Sequence, residues 1–304
     1  MSIRIAVTGK SGQVVRALFE AAGDEKDFTV IPVGRPELDL TDSKTIYPAL
    51  EKARPDVIVS AAAYTEVDRA ETEIEIAALI NAEGPSWVAR AASRLGVPII
   101  HLSTDYVFDG EKKIYFEEDR ANPKSVYGMT KWVGERAVLA SAENSVVLRT
   151  SWVYAPYGKN FVRTMLRLAA TKPVLRVVGD QFGTPTYAPD LAKAIFGLAR
   201  NLLAYPDNPA LRGLYHFSGG GVAISWADFA REILIYLGSK GFPKTPPLYA
   251  IRSEEYPTLA PRPANSWLSC DKIFRMHRIL HSHWRPSLIR ALDLLTSTEK
   301  LNAP

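Results

Sequence analysis

Three observations predict an α/β fold: a doubly wound parallel sheet with a smaller α/β lobe behind it. Short apolar, β-rich runs alternate with helical patterns through the first half of the chain. The chain opens on a strand, a glycine turn and an amphipathic stretch. After residue 150 the rhythm changes, and Pro and Gly become more frequent. Alternating strands and helices wrap a parallel sheet on both faces, and its crevice lies beyond the carboxyl ends of the strands.

Ile3–Thr8 reads as the first strand, followed by Gly9-Lys10-Ser11-Gly12-Gln13 and then by an amphipathic stretch with Val14, Leu18 and Phe19. This is the context of a Rossmann-type dinucleotide fingerprint. Its glycines let the backbone approach a pyrophosphate, and the helix start offers unpaired N–H groups to it. The usual third glycine is replaced by Val15, which questions how closely the helix packs on the strand but leaves the phosphate contact. Further strands are expected over Phe28–Val33, 57–63, Ile99–Thr104 and 146–153. Helices are expected over Ser43–Ala53, 77–95 and 127–139, and later over 160–170, 191–203, 226–237 and 287–295. Residues 1–150 therefore read as the dinucleotide-binding domain and 151–304 mainly as the substrate-binding domain, with some later segments returning to the sheet. No internal repeat or heptad seam interrupts this pattern.

The proton chemistry is written in Tyr127 and Lys131, four residues apart on one face of a helix. A free phenol has a pKa of about 10, and a cation beside it brings that value toward the working range. Thr104, at the end of the fourth strand, can hydrogen-bond the same reacting oxygen. The spacing alone also fits an ordinary helix surface; the glycine turn upstream is what favours a carbonyl-reducing site.

Composition narrows the class. The chain has 304 residues, 47% hydrophobic and 23% charged, as in a soluble globular enzyme. A net charge of +4 from dispersed basic residues gives no nucleic-acid footprint. The single cysteine, Cys270, has no internal partner, as in a reducing compartment. No signal-peptide pattern or bilayer-length apolar run is seen, so a soluble, cytoplasmic protein without a membrane partner is expected.

Together these residues resemble the extended short-chain dehydrogenase/reductase superfamily and, within it, the dTDP-4-dehydrorhamnose reductase family, over nearly the full length. The motifs that carry the resemblance are the glycine turn, Glu37-Leu38-Asp39-Leu40-Thr41-Asp42, and Ala61-Ala62-Ala63-Tyr64-Thr65-Glu66-Val67-Asp68. They continue with Ser103-Thr104-Asp105-Tyr106-Val107-Phe108-Asp109-Gly110, the Tyr127/Lys131 pair, Arg149-Thr150-Ser151-Trp152-Val153-Tyr154, Asp180-Gln181-Phe182-Gly183-Thr184-Pro185-Thr186 and Arg262-Pro263-Ala264-Asn265-Ser266. The Tyr/Lys pair marks only the superfamily; the Ala-Ala-Ala-Tyr-Thr and Ser-Thr-Asp-Tyr-Val-Phe-Asp-Gly blocks narrow it.

The resemblance implies NAD(P)H-dependent reduction of the C4 ketone of dTDP-4-dehydro-β-L-rhamnose to dTDP-L-rhamnose, a precursor of surface polysaccharides such as O-antigen. It implies Tyr127 as proton donor, Lys131 as ribose ligand and tuner of Tyr127, Thr104 as a bond to the substrate oxygen and Asp105 as a local modulator. Gly9, Ser11, Gly12, Gln13, Val14, Asp39, Leu40, Ala62, Ala63 and Tyr64 would line the cofactor. Thr65, Trp152 and Arg262 would join Thr104 and Asp105 around the dTDP-sugar. The bland readings are a helix cap for Asp39, a core indole for Trp152, a solvated charge for Arg262, a turn for Asp180 and Gln181, and surface or packing roles for the five histidines.

Cofactor choice is read from the end of the second strand, where Arg35 precedes the first carboxylate, Glu37. Arg35 can hold a 2′-phosphate, so NADPH is expected over NADH, although members of the family accept both. Some relatives are metal-bridged dimers through a glutamate whose matching position here is Ala17, next to Arg16. No metal and no metal-bridged dimer are therefore expected. Two alternatives stand beside this reading: a non-catalytic regulatory relative, as in the β subunit of methionine adenosyltransferase, and another nucleotide-sugar reductase or epimerase.

Overall fold

A computed structural model describes residues 2–242 and 245–300. Strand β1 (Ile3–Thr8) turns into helix α1 (Gln13–Asp24), and β2 (Phe28–Val33), α2 (Ser43–Ala53) and β3 (Val57–Ser60) follow. Two short helices, α3 (Val67–Ala70) and α4 (Ile74–Ala78), run through a π-helical turn (Leu79–Glu83) into α5 (Gly84–Leu95). Then come β4 (Ile99–Thr104), α6 (Val126–Ser141) and β5 (Ser145–Thr150). The second half holds β6 (Val153–Tyr154), α7 (Phe161–Thr171), β7 (Leu175–Val178), β8 (Phe182–Gly183), β9 (Thr186–Tyr187), α8 (Ala188–Ala204) and β10 (Gly213–His216). It continues with β11 (Ile224–Ser225), α9 (Trp226–Ser239), β12 (Leu248–Ile251), β13 (Asn265–Ser266), α10 (Asp271–His277) and α11 (Trp284–Lys300).

The central sheet is parallel throughout, in the order β2-β1-β3-β4-β5-β10. Its direction of growth reverses between β1 and β3, which opens a crevice beyond their carboxyl ends. The strands read as unbroken apolar runs because both faces are covered. Ile5 and Val7 pack toward α1 and α8, where Leu18, Leu191 and Ile195 lie. Ala6, between them, faces the opposite layer with Ile46 of α2, Val88 of α5 and Val138 of α6. The chain after residue 150 returns to this body as α8 against α1, as edge strand β10 and as α10, whose Ile273 joins the same core.

A separate apolar cluster joins α7, α9 and α11 through Val162, Phe229, Ile233, Leu288 and Leu292. Three small sheets attach here: parallel β7–β12, parallel β6–β9, and β11-β8-β13.

Three element boundaries differ from the sequence reading, each for a local reason. The strand expected over 57–63 ends at Ser60, because the Thr8 hydroxyl accepts the N–H groups of both Ala61 and Ala62 at 3.0 Å. The run 146–153 breaks after Thr150, where Trp152 takes a left-handed φ of 50°. The single helix expected over 77–95 is interrupted by the π-helical turn that carries the buried Asn81.

Candidate active site

The glycine turn begins at Gly9, whose φ of 100° favours glycine and whose N–H donates to the Val33 carbonyl at 2.7 Å. Gly12 stands at the N-terminus of α1 with no side-chain cap and no acidic residue in the first turn. The first N–H groups of a 12-residue helix are thus left for an external anion. Ser11 is exposed, and Gln13 and Val14 are half-buried in the first turn. Val15 settles the packing question raised by the missing third glycine. It is buried, and its Cγ2 lies 3.5 Å from where a Cβ on Gly9 would sit, so Gly9 makes the room that Val15 fills. The Gln13 amide oxygen accepts from Asn160 Nδ2 at 2.9 Å, which ties the turn to the start of α7.

Along the rim, Asp39 accepts the Thr41 N–H at 2.9 Å and the Thr41 hydroxyl at 2.8 Å. These bonds, with the charge of Arg35, hold its carboxyl below the usual range. It does not cap α2; Asp42 does, accepting from the Lys44 N–H at 3.0 Å. Leu40 is buried under α5, and Arg35 is exposed. Ala62 and Ala63 are half-buried beyond β3, and Thr65 is exposed. The Tyr64 backbone is bound in both directions by Asn81: its N–H donates to Oδ1 at 2.8 Å, and its carbonyl accepts from Nδ2 at 3.0 Å. The Tyr64 hydroxyl donates to Glu73. These donors and glycines suit a dinucleotide pyrophosphate and its riboses.

The candidate proton-donating residues lie where β4 meets α6. Ser125 caps α6 by accepting the Gly128 N–H at 3.1 Å, and Glu71 accepts the Val126 N–H at 2.8 Å, so the helix starts at a fixed point. One turn in, Tyr127 and Lys131 reach toward the end of β4. Burial pushes the Tyr127 phenol well above its ordinary value, a hydrogen bond with Thr104 opposes this, and the charge of Asp105 adds to it. The sequence reading had Lys131 lowering that pKa; in this geometry burial wins. Lys131 instead donates to the Leu102 carbonyl at 2.7 Å and approaches His101 Nε2 at 3.4 Å. Burial lowers its pKa to about 8, against the pull of Glu135.

His101 is fully buried, and burial followed by the Lys131 charge takes its pKa well below the ordinary value. A neutral ring accepting at Nε2 must carry its proton on Nδ1, which donates to Ser60 Oγ at 3.0 Å. Thr104 donates to Asp105 Oδ1 at 3.0 Å and accepts the Tyr106 N–H at 3.2 Å. Burial raises the Asp105 carboxyl to about 6, opposed by hydrogen bonds with Ser266 and Thr104.

Trp152 stacks on Trp226, with ring centroids 3.4 Å apart and planes at 8°, so one face of its indole is covered. Arg262 is not a free charge: it donates to Asp68 at 2.8 Å and to the Tyr106 hydroxyl at 3.1 Å. Asp180 accepts from the Ser253 N–H and hydroxyl, and Gln181 donates to the same hydroxyl, so both brace a loop. Ala17 is buried, and Arg16 is paired with Glu20 at 2.7 Å and lies 4.1 Å over the Tyr157 ring, so the charge expected to repel a dication is already offset. Among the described residues, no group of three or more His, Cys, Asp or Glu could hold a metal ion. No helix among them is long and apolar enough to cross a membrane.

The family described as the RmlD substrate binding domain matches residues 3–297. The chain is 48% identical over 290 residues to the dTDP-4-dehydrorhamnose reductase of Sinorhizobium fredii, covering 95% of this chain and 96% of that protein. The chain belongs to the dTDP-4-dehydrorhamnose reductase family. It is also 38% identical to the dTDP-4-dehydrorhamnose reductase of Salmonella typhimurium, covering 97% of this chain and 99% of that one. The crystal structure of the Bacillus anthracis dTDP-4-dehydrorhamnose reductase in complex with NADP superposes with a TM-score of 0.87 at 34% identity, covering 96% and 99% of the two chains.

Three residues around the candidate site, Asn81, Gly134 and His101, carry no signal in the sequence. Asn81 sits inside a helical run whose periodicity announces only packing, yet it is fully buried, binds the Tyr64 backbone and reaches Thr130 at 3.3 Å. A Cβ on Gly134 would come within 2.1 Å of the Asn81 carbonyl, so that glycine lets α6 approach the π-helical turn. His101 looked like one of several scattered histidines but touches Lys131. Tyr106 packs edge-on against Tyr127, with centroids 5.5 Å apart.

Proposed function

We propose that this chain is an NADPH-dependent oxidoreductase that reduces the C4 ketone of dTDP-4-dehydro-β-L-rhamnose to dTDP-L-rhamnose, in the cytoplasm, for surface polysaccharide and O-antigen synthesis. The observation that carries the reading is the meeting of Thr104, Asp105, Tyr127 and Lys131 at the end of β4, beside an uncapped glycine turn. The intact set also speaks against a purely regulatory role, which has no chemical need for it.

The nicotinamide supplies a hydride to C4 when bound. Everything else falls to the chain. Tyr127 gives its phenolic proton to the C4 oxygen, and its raised pKa keeps that proton in place at neutral pH until an alkoxide develops. Lys131, with a pKa of about 8, stays largely charged at pH 7 and can steady both the ribose and the phenolate left behind. Thr104 sets the substrate oxygen against Tyr127. Trp152 meets the deoxysugar, and Thr65 and Arg262 border the same cleft. Gly9, Ser11, Gly12, Gln13 and Val14 take the pyrophosphate; Asp39, Leu40, Ala62, Ala63 and Tyr64 line the adenine and ribose side. Arg35 faces the 2′-phosphate and favours NADPH while leaving NADH usable. Activity needs no divalent metal, and no metal-bridged dimer forms.

The test is purified protein with NADPH and dTDP-4-dehydro-β-L-rhamnose, with nicotinamide absorbance followed in the presence of chelator. One NADPH consumed per sugar reduced supports the reading. No turnover with this sugar, alongside turnover of another nucleotide sugar, rejects it.

A further inference from the structure

The second indole, Trp226, lies outside every role given above. It is the first residue of α9, whose start is set by a capping box: Ser225 accepts the Asp228 N–H at 3.0 Å, and Asp228 accepts the Ser225 N–H at 3.3 Å. The antiparallel pairing of β11 with β8, Ile224 opposite Gly183, brings this start beside Gly183. Phe161 backs Trp226 with ring centroids 4.6 Å apart. Trp226 is therefore anchored by backbone, cap and packing before it meets Trp152.

Trp152 needs such a support. Its φ of 50° is a conformation that side-chain-bearing residues rarely adopt. Its neighbours pin the backbone: Ser151 Oγ donates to the Thr184 carbonyl at 3.2 Å, and the Trp152 carbonyl accepts the Thr186 N–H at 3.2 Å. Space around the ring is limited by Gly183, where a Cβ would come within 2.8 Å of Cε2 and 3.0 Å of Nε1. Only glycine leaves the slot in which the indole lies against Trp226. The slot also adjoins the reaction centre, because Ser266, which pairs in register with Gly183, lies near enough to Asp105 to oppose the rise in its carboxyl pKa. Both indoles stay half-exposed, as a rim meeting a ligand requires.

We propose that Trp226 is a positioning and specificity-determining residue for the nucleotide sugar: stacked flat on Trp152, it fixes the indole that the deoxysugar meets, and Gly183 preserves the slot for that stack. This rests on the reading of Trp152 as a sugar contact. Locking a large flat side chain beforehand spares the ordering loss on binding and presents one surface to the sugar.

The experiment compares Trp152→Phe, Trp226→Leu, Trp226→Phe and Gly183→Ala in the full chain. Two stacked indoles couple their transitions, so circular dichroism carries an exciton couplet that either Trp substitution removes. Trp226→Leu is expected to lose the couplet and raise KM for the keto-sugar roughly tenfold, with KM for NADPH nearly unchanged and the melting temperature lowered by only a few degrees. Trp226→Phe should recover part of the KM loss. Gly183→Ala should distort the couplet and raise the same KM from the other side of the slot, which keeps the test decisive if Trp226→Leu fails to fold. A sugar KM raised by Trp152→Phe but unchanged by Trp226→Leu and Gly183→Ala overturns the proposal alone. A sugar KM unchanged by Trp152→Phe overturns the sugar-contact reading and the proposal with it. A proportional loss in both KM values and in melting temperature assigns Trp226 to packing and also overturns the proposal.

Discussion

Lys131 donates its ammonium to the Leu102 carbonyl at 2.7 Å, so the cation at the centre of the site is held by the sheet itself. Burial of that ammonium lowers its pKa from 10.5 to about 8. Between those values the unfolded chain keeps a proton that the folded chain has released, so this group's contribution to stability rises with pH from about 8 to 10.5. Below that window the buried charge is a standing penalty. Lys131→Met should fold with stability equal to the parent or up to ~1–3 kcal/mol higher at pH 7, the gap closing above pH 10. It should also bind NADPH more weakly and turn over slowly. Urea denaturation at the two pH values, paired with an NADPH titration, checks this; a destabilised variant would show that the ammonium is a structural strut.

Asp105 shows the opposite kind of shift. Burial raises its carboxyl from 3.8 to about 6, so the folded chain holds a proton that the unfolded chain releases, and stability falls as pH rises across that interval. Asp105→Asn removes the charge while keeping the shape. The variant should match the parent near pH 4 and exceed it by roughly 1–3 kcal/mol at pH 8. Denaturation midpoints measured at both pH values decide the matter, and a difference independent of pH would place the shift elsewhere.

Behind the site, Arg149 meets Glu135 in a two-pronged ion pair, at 2.8 and 2.7 Å, with side-chain exposures of 3% and 1%. Glu135 is one turn along α6 from Lys131 and is the group that raises the lysine's pKa. Removing one partner leaves an uncompensated buried charge. Arg149→Met alone should therefore cost about 3–5 kcal/mol, while Arg149→Met with Glu135→Leu should regain much of it. Chemical denaturation of the single and double variants measures the coupling. Equal losses in both would mean that shape, not charge, governs this position.

Much of this fold is legible in the residues. The parallel sheet was readable because strands buried on both faces appear as unbroken apolar runs, and the glycine turn because phosphate-binding geometry demands a particular backbone. Tyr127 and Lys131 were readable because helical spacing places i and i+4 together. What stayed hidden depends on contacts between distant segments. Asn81 and His101 owe their places to the Tyr64 backbone and to Lys131, and no local period marks them. The break at Trp152 comes from a partner 74 residues on, Trp226, and from Gly183. The direction of the Tyr127 shift escapes the sequence for the same reason: spacing shows which cation is near, but only packing shows how deeply the phenol is buried.

The most direct measurement of the central claim follows a labelled hydride in the parent and in Tyr127→Phe. NADPH deuterated at the transferable position is incubated with dTDP-4-dehydro-β-L-rhamnose, and the product is examined by nuclear magnetic resonance. Direct transfer to the carbonyl carbon with a proton from Tyr127 predicts deuterium at C4 in both proteins, with the variant slower by about 10²–10⁴-fold. Deuterium absent from C4, or a Tyr127→Phe variant that turns over at the parental rate, would contradict it.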